Sequence, residues 1–240
     1  MGEYFWTHEE YNSTFEGFCG FIWIIRVLGF IGNLSLFIFM QIKISDPKFV
    51  LFLTDWGLCS TFIYMAYSSA LSIIYLFNKR NTFIQSECIW KFSQFLFIAA
   101  LDLELVVTSA YWVSQLFIDT DDPRIKTEIR LQHFVPCLFM TIEFGFNHMR
   151  MKFRHFILLQ FIYLPYLVLN VLYTYISGQG VYPVVDWDNL QSIGAIFFIE
   201  GLAVIFCLIT REFSKCKPNY NHSNDLLAKE EDEPSCVITE

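Results

Sequence analysis

The sequence predicts an all-α polytopic membrane protein: a bundle of six transmembrane helices with both termini in the cytoplasm. Three observations carry this. Six apolar segments follow one another, each near or above the ~20 residues that a spanning helix requires. Apolar residues make up 55% of the chain and charged residues only 17%, where a soluble domain carries about 25% charged. Lys and Arg are also divided unevenly between the two sets of connections that six spans define.

A chain of 240 residues with a mean hydropathy of +0.42 cannot hide this much apolar surface in one soluble core. The 27 Phe suit helix faces turned to lipid. The net charge of −8 comes mostly from the ends and loops and argues against nucleic-acid binding, which needs a basic patch. Seven Cys form no CxxC or metal-type pair, so no metal or other cofactor is expected. Cys207 and Cys216 flank the end of the last segment and are candidates for palmitoylation. The residues before the first apolar run are acidic, which does not fit a cleavable signal peptide.

Residues 1–16 form an acidic, aromatic leader without Lys or Arg. The apolar segments lie at 17–41, 49–77, 90–118, 131–148, 156–177 and 191–210, and together make the transmembrane domain, 17–210. The fourth is the weakest, interrupted by Gln132, His133, Glu143 and Asn147. Turn signals separate the segments at Ser45-Asp46-Pro47, Asn78–Asn81, Asp119–Pro123 and Gly178–Pro183. Residues 211–240 are a polar tail with the acidic run Glu230-Glu231-Asp232-Glu233, whose composition predicts disorder. Six spans place Lys79, Arg80, Lys91, Arg150, Lys152, Arg154, Arg211, Lys215, Lys217 and Lys229 on one side. The other side holds Lys43, Lys48, Arg124, Lys126 and Arg130. The richer side is the cytoplasmic one. Asn12-Ser13-Thr14 is a glycosylation sequon, and a glycan on Asn12 would invert this topology.

The stretch from Lys48 into the second segment sets a hydroxyl and a carboxylate, Thr54 and Asp55, inside a membrane helix. Polar groups at that depth are costly in hydrocarbon and face protein, water or chemistry. Counted along the helices, Thr54 lies about 7 Å and His133 about 3 Å below the non-cytoplasmic face. A hydroxyl and an imidazole then share one layer on two helices, as a base-activated nucleophile requires. Thr54, Thr61 and Ser68 also recur every seven residues, with Gly57 and Ser72 nearby, and periodicity alone reads that stripe as close helix packing.

Arg26, Asp102, Glu104, Glu143 and Glu200 fall near mid-membrane. Arg26 is expected to pair with one of these carboxylates, because an unpaired charge there costs several kcal/mol. Glu104, Thr108 and Tyr111 share one face of the third helix, and Glu143 and Asn147 one of the fourth. The set reads as a buried polar network that fixes packing, or as a proton or small-solute path. Tyr163, Tyr166, Asn170 and Tyr173 on the fifth helix read as a packing stripe. The basic turn Arg150-Met151-Lys152-Phe153-Arg154 reads as headgroup contact and a topology signal. There is no phosphate loop, no GxSxG and no HExxH, and five His are too few for the His boxes of membrane di-iron enzymes.

Lys48 to Thr54 with Phe52-Leu53-Thr54 just inside the second helix, His133 followed by Glu143, and Gly178-x-x-Val181-Tyr182-Pro183 with Asp186 beyond it resemble the androgen-induced family of six-pass membrane hydrolases. Leu53-Thr54-Asp55-Trp56-Gly57 and Tyr182-Pro183-Val184-Val185-Asp186-Trp187 are more similar to the related rolling stone membrane proteins. The resemblance implies six spans with cytoplasmic ends. In the hydrolase branch it implies that Thr54 and His133 are a catalytic pair cleaving fatty acid esters of hydroxy fatty acids. The rolling stone branch is associated with myoblast fusion, without an agreed enzymatic role. The expected protein is thus an intramembrane ester hydrolase of the endoplasmic reticulum or plasma membrane. Thr54 is its nucleophile, His133 its base, and Asp55 or Asp186 orients the imidazole, with Tyr182 in support. Membrane lipids are its surroundings and its substrate. A non-catalytic membrane interaction or fusion protein is the alternative, with Thr54 and His133 hydrogen-bonding across helices, and a proton or small-solute carrier is the third.

Overall fold

A computed structural model describes residues 21–43, 51–78, 83, 86–115, 123–182, 185, 187 and 190–217. The acidic leader with Asn12, the loop carrying Lys48, residue Asp186 and the tail from 218 onward lie outside the described residues. The chain is all-α among those residues, with six long helices: α1 (Ile22–Lys43), α2 (Leu53–Phe77), α3 (Glu87–Ser114), α4 (Pro123–Phe146), α5 (His155–Ser177) and α6 (Leu190–Lys215). All but α4 are long and apolar enough to cross a membrane.

Neighbouring helices alternate in direction. Arg26 near the start of α1 meets Ser72 near the end of α2. Thr61 of α2 meets Glu104 of α3, while Leu71 packs with Trp90. Phe97 of α3 stacks on Phe144 of α4, while Thr108 reaches His133. Gln160 of α5 bonds Glu200 of α6. α3 stands at the centre, packed against α2, α4, α5 and α6, and α1 closes the side formed by α2 and α4. The main core joins Tyr64, Met65, Phe97, Leu101, Leu103 and Met140. The outside of α5 and α6 is apolar: Phe161 is 71% exposed, Phe197 74% and Ile176 81%. A water-facing surface does not carry so continuous an apolar face, and a hydrocarbon-facing one does.

The polar residues of α4 are the reason for its low hydropathy, and they point inward. Gln132, His133, Glu143 and Asn147 are all buried. The helix also starts at Pro123, well before the apolar segment that begins at 131. Its first turns contain Lys, Glu and Arg, which are good helix formers, so the helix continues where the apolar pattern has not begun. Thr54 is likewise the second residue of α2, not a residue one or two turns within it. Thr54 sits at the start of its helix and His133 about three turns into α4.

Gly57 and Thr61 of the α2 small-residue stripe face Glu104 of α3. Thr61 and Ser68 are buried to 1% or less exposed. A Cβ at Gly57 would stand 3.0 Å from Glu104 Oε1, so glycine is what lets the two backbones approach.

Candidate functional site

Thr54 and His133 line one cavity of about 480 Å³, a volume typical of small-ligand sites. It lies toward the end of the bundle where α2 and α6 begin and α3 and α5 finish. Its walls come from the first turn of α2, the last turns of α3, His133 of α4, the middle of α5, the first half of α6 and the connection between α5 and α6. Most of the lining is apolar: Val107, Leu167, Ile196 and Ile199 are among it.

The Thr54 hydroxyl has no hydrogen-bond partner among the described residues. Other helical hydroxyls here, those of Ser35, Thr141, Thr174 and Ser214, donate to the carbonyl four residues back. Thr54 stands in the first turn of its helix, where the helix dipole favours negative charge.

His133 is 6% exposed and its Nδ1 is buried without a partner. Its ring stacks on Tyr111 at 4.1 Å and 14° between planes. Pro136 lies one turn further along α4. It takes away the N–H that would serve the Gln132 carbonyl, and its ring disturbs the ladder there. Thr108 of α3 donates to the neighbouring His133 carbonyl at 2.8 Å, so α4 is pinned to α3 at the residue that carries the imidazole. No hydrogen bond joins Thr54 to His133, and the two side chains face the same space from two helices.

Tyr182 belongs to the same wall. Its oxygen accepts the Leu53 N–H at 2.9 Å and the Tyr166 hydroxyl at 3.3 Å. It therefore serves as the missing cap of α2, whose N-cap Phe52 has no capping side chain. Desolvation pushes its phenol well above the usual value, which keeps it protonated. With two bonds accepted, its own proton remains to be donated. Tyr166 in turn accepts from Asn170 Nδ2 at 3.3 Å, and Asn170 Oδ1 accepts the Trp187 indole N–H at 3.1 Å. Trp187 holds φ at 66°, a left-handed backbone that a bulky residue seldom takes. Its own N–H is bound to Ser192 Oγ at 2.8 Å, so bonds at both its backbone and its ring keep the indole on the cavity.

Asp55 is one of the two carboxylates expected to orient the imidazole. Asp55 is buried and accepts a bond from Gln132 Nε2 at 2.9 Å, and it makes no hydrogen bond to the His133 ring. Asp186 lies outside the described residues. Trp187 entered the sequence reading only as the end of the string Tyr182–Trp187, with no site role given to it. Tyr163, Tyr166 and Asn170, read as a packing stripe, instead line the cavity. The signal was their polar tips at helical spacing.

The mid-bundle polar residues form separate units. Arg26 pairs with Glu143 through Nε at 2.9 Å and Nη2 at 2.8 Å, and Tyr64 donates to the same oxygen at 2.7 Å. Arg26 Nη1 donates to Ser72 at 2.7 Å. Thr61 donates to Glu104 at 3.1 Å and Tyr163 to Asp102 at 2.9 Å. Glu200 accepts from Gln160 at 3.0 Å and borders the cavity. The Asn147 side chain does not bond the Glu143 carboxylate, although its backbone N–H donates to the Glu143 carbonyl at 2.9 Å. It accepts from the ammonium of Lys217 at 2.9 Å, a residue beyond the last apolar segment that the sequence did not connect to the bundle. Among the described residues no group of three or more His, Cys, Asp and Glu is gathered closely enough to hold a metal ion.

Comparison with protein-family models, with curated proteins and with solved structures finds no match to this chain. The cavity and its unpartnered groups therefore carry the functional argument.

Proposed function

We propose that this chain is an intramembrane lipid-ester hydrolase with Thr54 as nucleophile and His133 as general base. The carrying observation is that two polar side chains without hydrogen-bond partners, on two different helices, face one apolar cavity. A hydroxyl and an imidazole that served only to join helices would be bonded to each other or to a neighbour, because an unsatisfied polar group costs about 1–3 kcal/mol. Here that cost is left standing at His133 Nδ1, and the half-buried Thr54 hydroxyl is unbonded on the same cavity, which favours a functional site.

In the reaction, the Thr54 oxygen attacks the ester carbonyl carbon as His133 takes the hydroxyl proton. The carbonyl oxygen becomes an oxyanion, to which Tyr182 donates its free proton in a hydrogen bond. Collapse expels the alcohol, protonated by His133, and leaves an acyl-Thr54 ester. Water, activated by the same imidazole, then releases the fatty acid and restores Thr54. The apolar walls suit an acyl chain, and the position near one end of the bundle suits an ester close to the headgroup region. The mid-bundle carboxylates each have a polar partner, which favours a packing role for them over a carrier path.

The reading includes six spans, with α4 crossing beside its neighbours and its polar residues turned inward, and both termini in the cytoplasm as the Lys and Arg distribution favours. It is consistent with the resemblance to the androgen-induced hydrolases and the rolling stone proteins, and with residence in the endoplasmic reticulum or plasma membrane. The test uses the full chain in lipid nanodiscs with fatty acid esters of hydroxy fatty acids and a fluorophosphonate probe. Hydrolysis and labelling are expected in the wild type and absent in Thr54→Ala and His133→Ala. A Thr54→Ala protein that still hydrolysed the ester and still took the probe would overturn the proposal.

A further inference from the structure

We propose that the inner end of the Thr54 cavity is a subsite for a hydroxyl group carried on the acyl chain of the lipid, with Glu200 of α6 as its acceptor and specificity-determining residue. The inference rests on the reading of this cavity as a lipid-ester site, and not on the chemistry at Thr54. Glu200 is the one carboxylate among the lining residues, and it is partly exposed. Gln160 Nε2 donates to its Oε2 at 3.0 Å. Its Oε1 makes no hydrogen bond among the described residues, and no Lys or Arg there forms an ion pair with it.

The cavity is polar at both ends and apolar between them. At the outer end Tyr182 holds Leu53 beside Thr54 and meets Tyr166, and Asn170 holds Trp187. His133 Nδ1 is buried on this cavity without a partner. At the inner end stand Tyr163 and Glu200, the latter bonded to Gln160. Tyr163 and Gln160 precede Asn170 on α5, by a rise of roughly 10 and 15 Å along the helix. Tyr163 gives its proton to Asp102 at 2.9 Å, so it has none to offer Glu200. Val107, Leu167, Ile196 and Ile199 lie on the wall. A chain of about ten carbons spans the depth from an ester at Thr54 to Glu200.

The physical chemistry of the two ends selects the occupant. A chain that ends in a methyl group would set hydrocarbon against the open carboxylate oxygen and strip it of water with nothing in exchange. A chain that ends in a carboxylate would meet like charge. An ammonium would pair with Glu200, but it must shed its water to pass the apolar walls, at a far greater cost than a hydroxyl bears. A hydroxyl is neutral, is carried inward by the chain, and donates one proton. A carboxylate accepts that bond about twice as strongly as a neutral group does. The same property makes the subsite discriminating, because a site built to bond a hydroxyl rejects the analogue that lacks it.

Binding of methyl ketones, which have no ester bond to hydrolyse, keeps this test apart from the hydrolase test. Native mass spectrometry of the full chain in detergent compares a ketone with a plain chain of about ten carbons with the same chain ending in a hydroxyl and in an amine. Wild type and Thr54→Ala are both expected to hold the hydroxyl form at least ~10-fold more tightly than the plain form, as one hydrogen bond to a charged group provides. Glu200→Leu is expected to erase that preference, and Glu200→Gln, whose amide oxygen still accepts, to keep part of it. The preference is a ratio within one protein, so loss of folded protein does not imitate its loss. Equal binding of the hydroxyl and plain forms, or failure of both to bind, would overturn the proposal. So would a preference that survives in Glu200→Leu, which moves the hydroxyl elsewhere on the wall, or tighter binding of the amine, which makes this a cation site. A preference kept in a chain that cleaves no ester would remove the hydrolase reading and leave the subsite standing.

Discussion

The hydroxyl of Tyr182, in the connection between α5 and α6, accepts the backbone N–H of Leu53 at 2.9 Å, one residue before Thr54. A loop residue 129 positions away therefore completes the start of the helix that carries the proposed nucleophile. Tyr182→Phe leaves that N–H without an acceptor and is expected to lower stability by about 1–3 kcal/mol. Thermal unfolding in detergent measures this. If Tyr182 also donates to the oxyanion, kcat for ester hydrolysis falls by about 100-fold with KM little changed. A loss of activity no greater than the loss of folded protein would assign Tyr182 to capping alone.

The ion pair of Arg26 and Glu143 is sealed inside the bundle, with exposures of 1% and 0%. Removing one partner strands a buried charge. Arg26→Met is expected to cost roughly 3–5 kcal/mol, and Arg26→Met with Glu143→Leu much less than the sum of the single changes. Denaturant unfolding of the two single variants and the double variant closes the cycle. Additive losses would show that the pair is not coupled.

Glycines on α2 and α6 are expected to respond in opposite directions. At Gly57 a Cβ would stand 3.0 Å from Glu104 Oε1, so Gly57→Ala pushes on the carboxylate that Thr61 holds, at a cost of about 1–3 kcal/mol. At Gly194 nothing lies within 4 Å, and Gly194→Ala gains up to about 1 kcal/mol of helix propensity. Thermal midpoints in one detergent compare them, and a stabilised Gly57→Ala would contradict the close approach of α2 and α3.

Lys217 gives a pH dependence of definite sign. Burial brings its ammonium down to about 7 from 10.5, while the Glu143 charge pulls the other way and Arg150 adds to the fall. Below about pH 7 both the folded and unfolded chains carry the proton, and the cost of burying the charge is borne in full. Between about 7 and 10.5 the unfolded chain binds more protons, so stability rises with pH. Relative to Lys217→Met, the wild type is expected to gain in thermal midpoint as pH goes from 7 to 10. A parallel course of the two proteins would place the folded value near the ordinary one.

Apolar length made most helices legible in the sequence, because a span of hydrocarbon sets the number of residues needed. It made α4 only partly legible, since Gln132, His133, Glu143 and Asn147 break the run. They do so because each is buried against the bundle, and hydropathy does not distinguish a polar residue facing protein from one facing water. Arg26 was readable as half of an ion pair for the same energetic reason, but the choice of Glu143 over Asp102 or Glu104 was not. That choice depends on which helix faces lie opposite α1.

The sequence by itself determined an all-α chain with membrane-length apolar helices and an inward-facing set of polar groups, and it singled out Thr54 and His133 as chemically unusual. Local composition suffices for these conclusions, because burial of each residue type has a cost that does not depend on its partners. Only the tertiary structure decided that Thr54 and His133 face one cavity and that Asp55 answers to Gln132. It alone brought Tyr182 and Trp187 from a loop onto the cavity wall and drew Lys217 and Ser214 onto the α4–α5 connection. Those relations join residues remote in sequence, and they arise from the packing of α3 at the centre and from turns such as the left-handed Trp187, which leave no periodic trace in the chain.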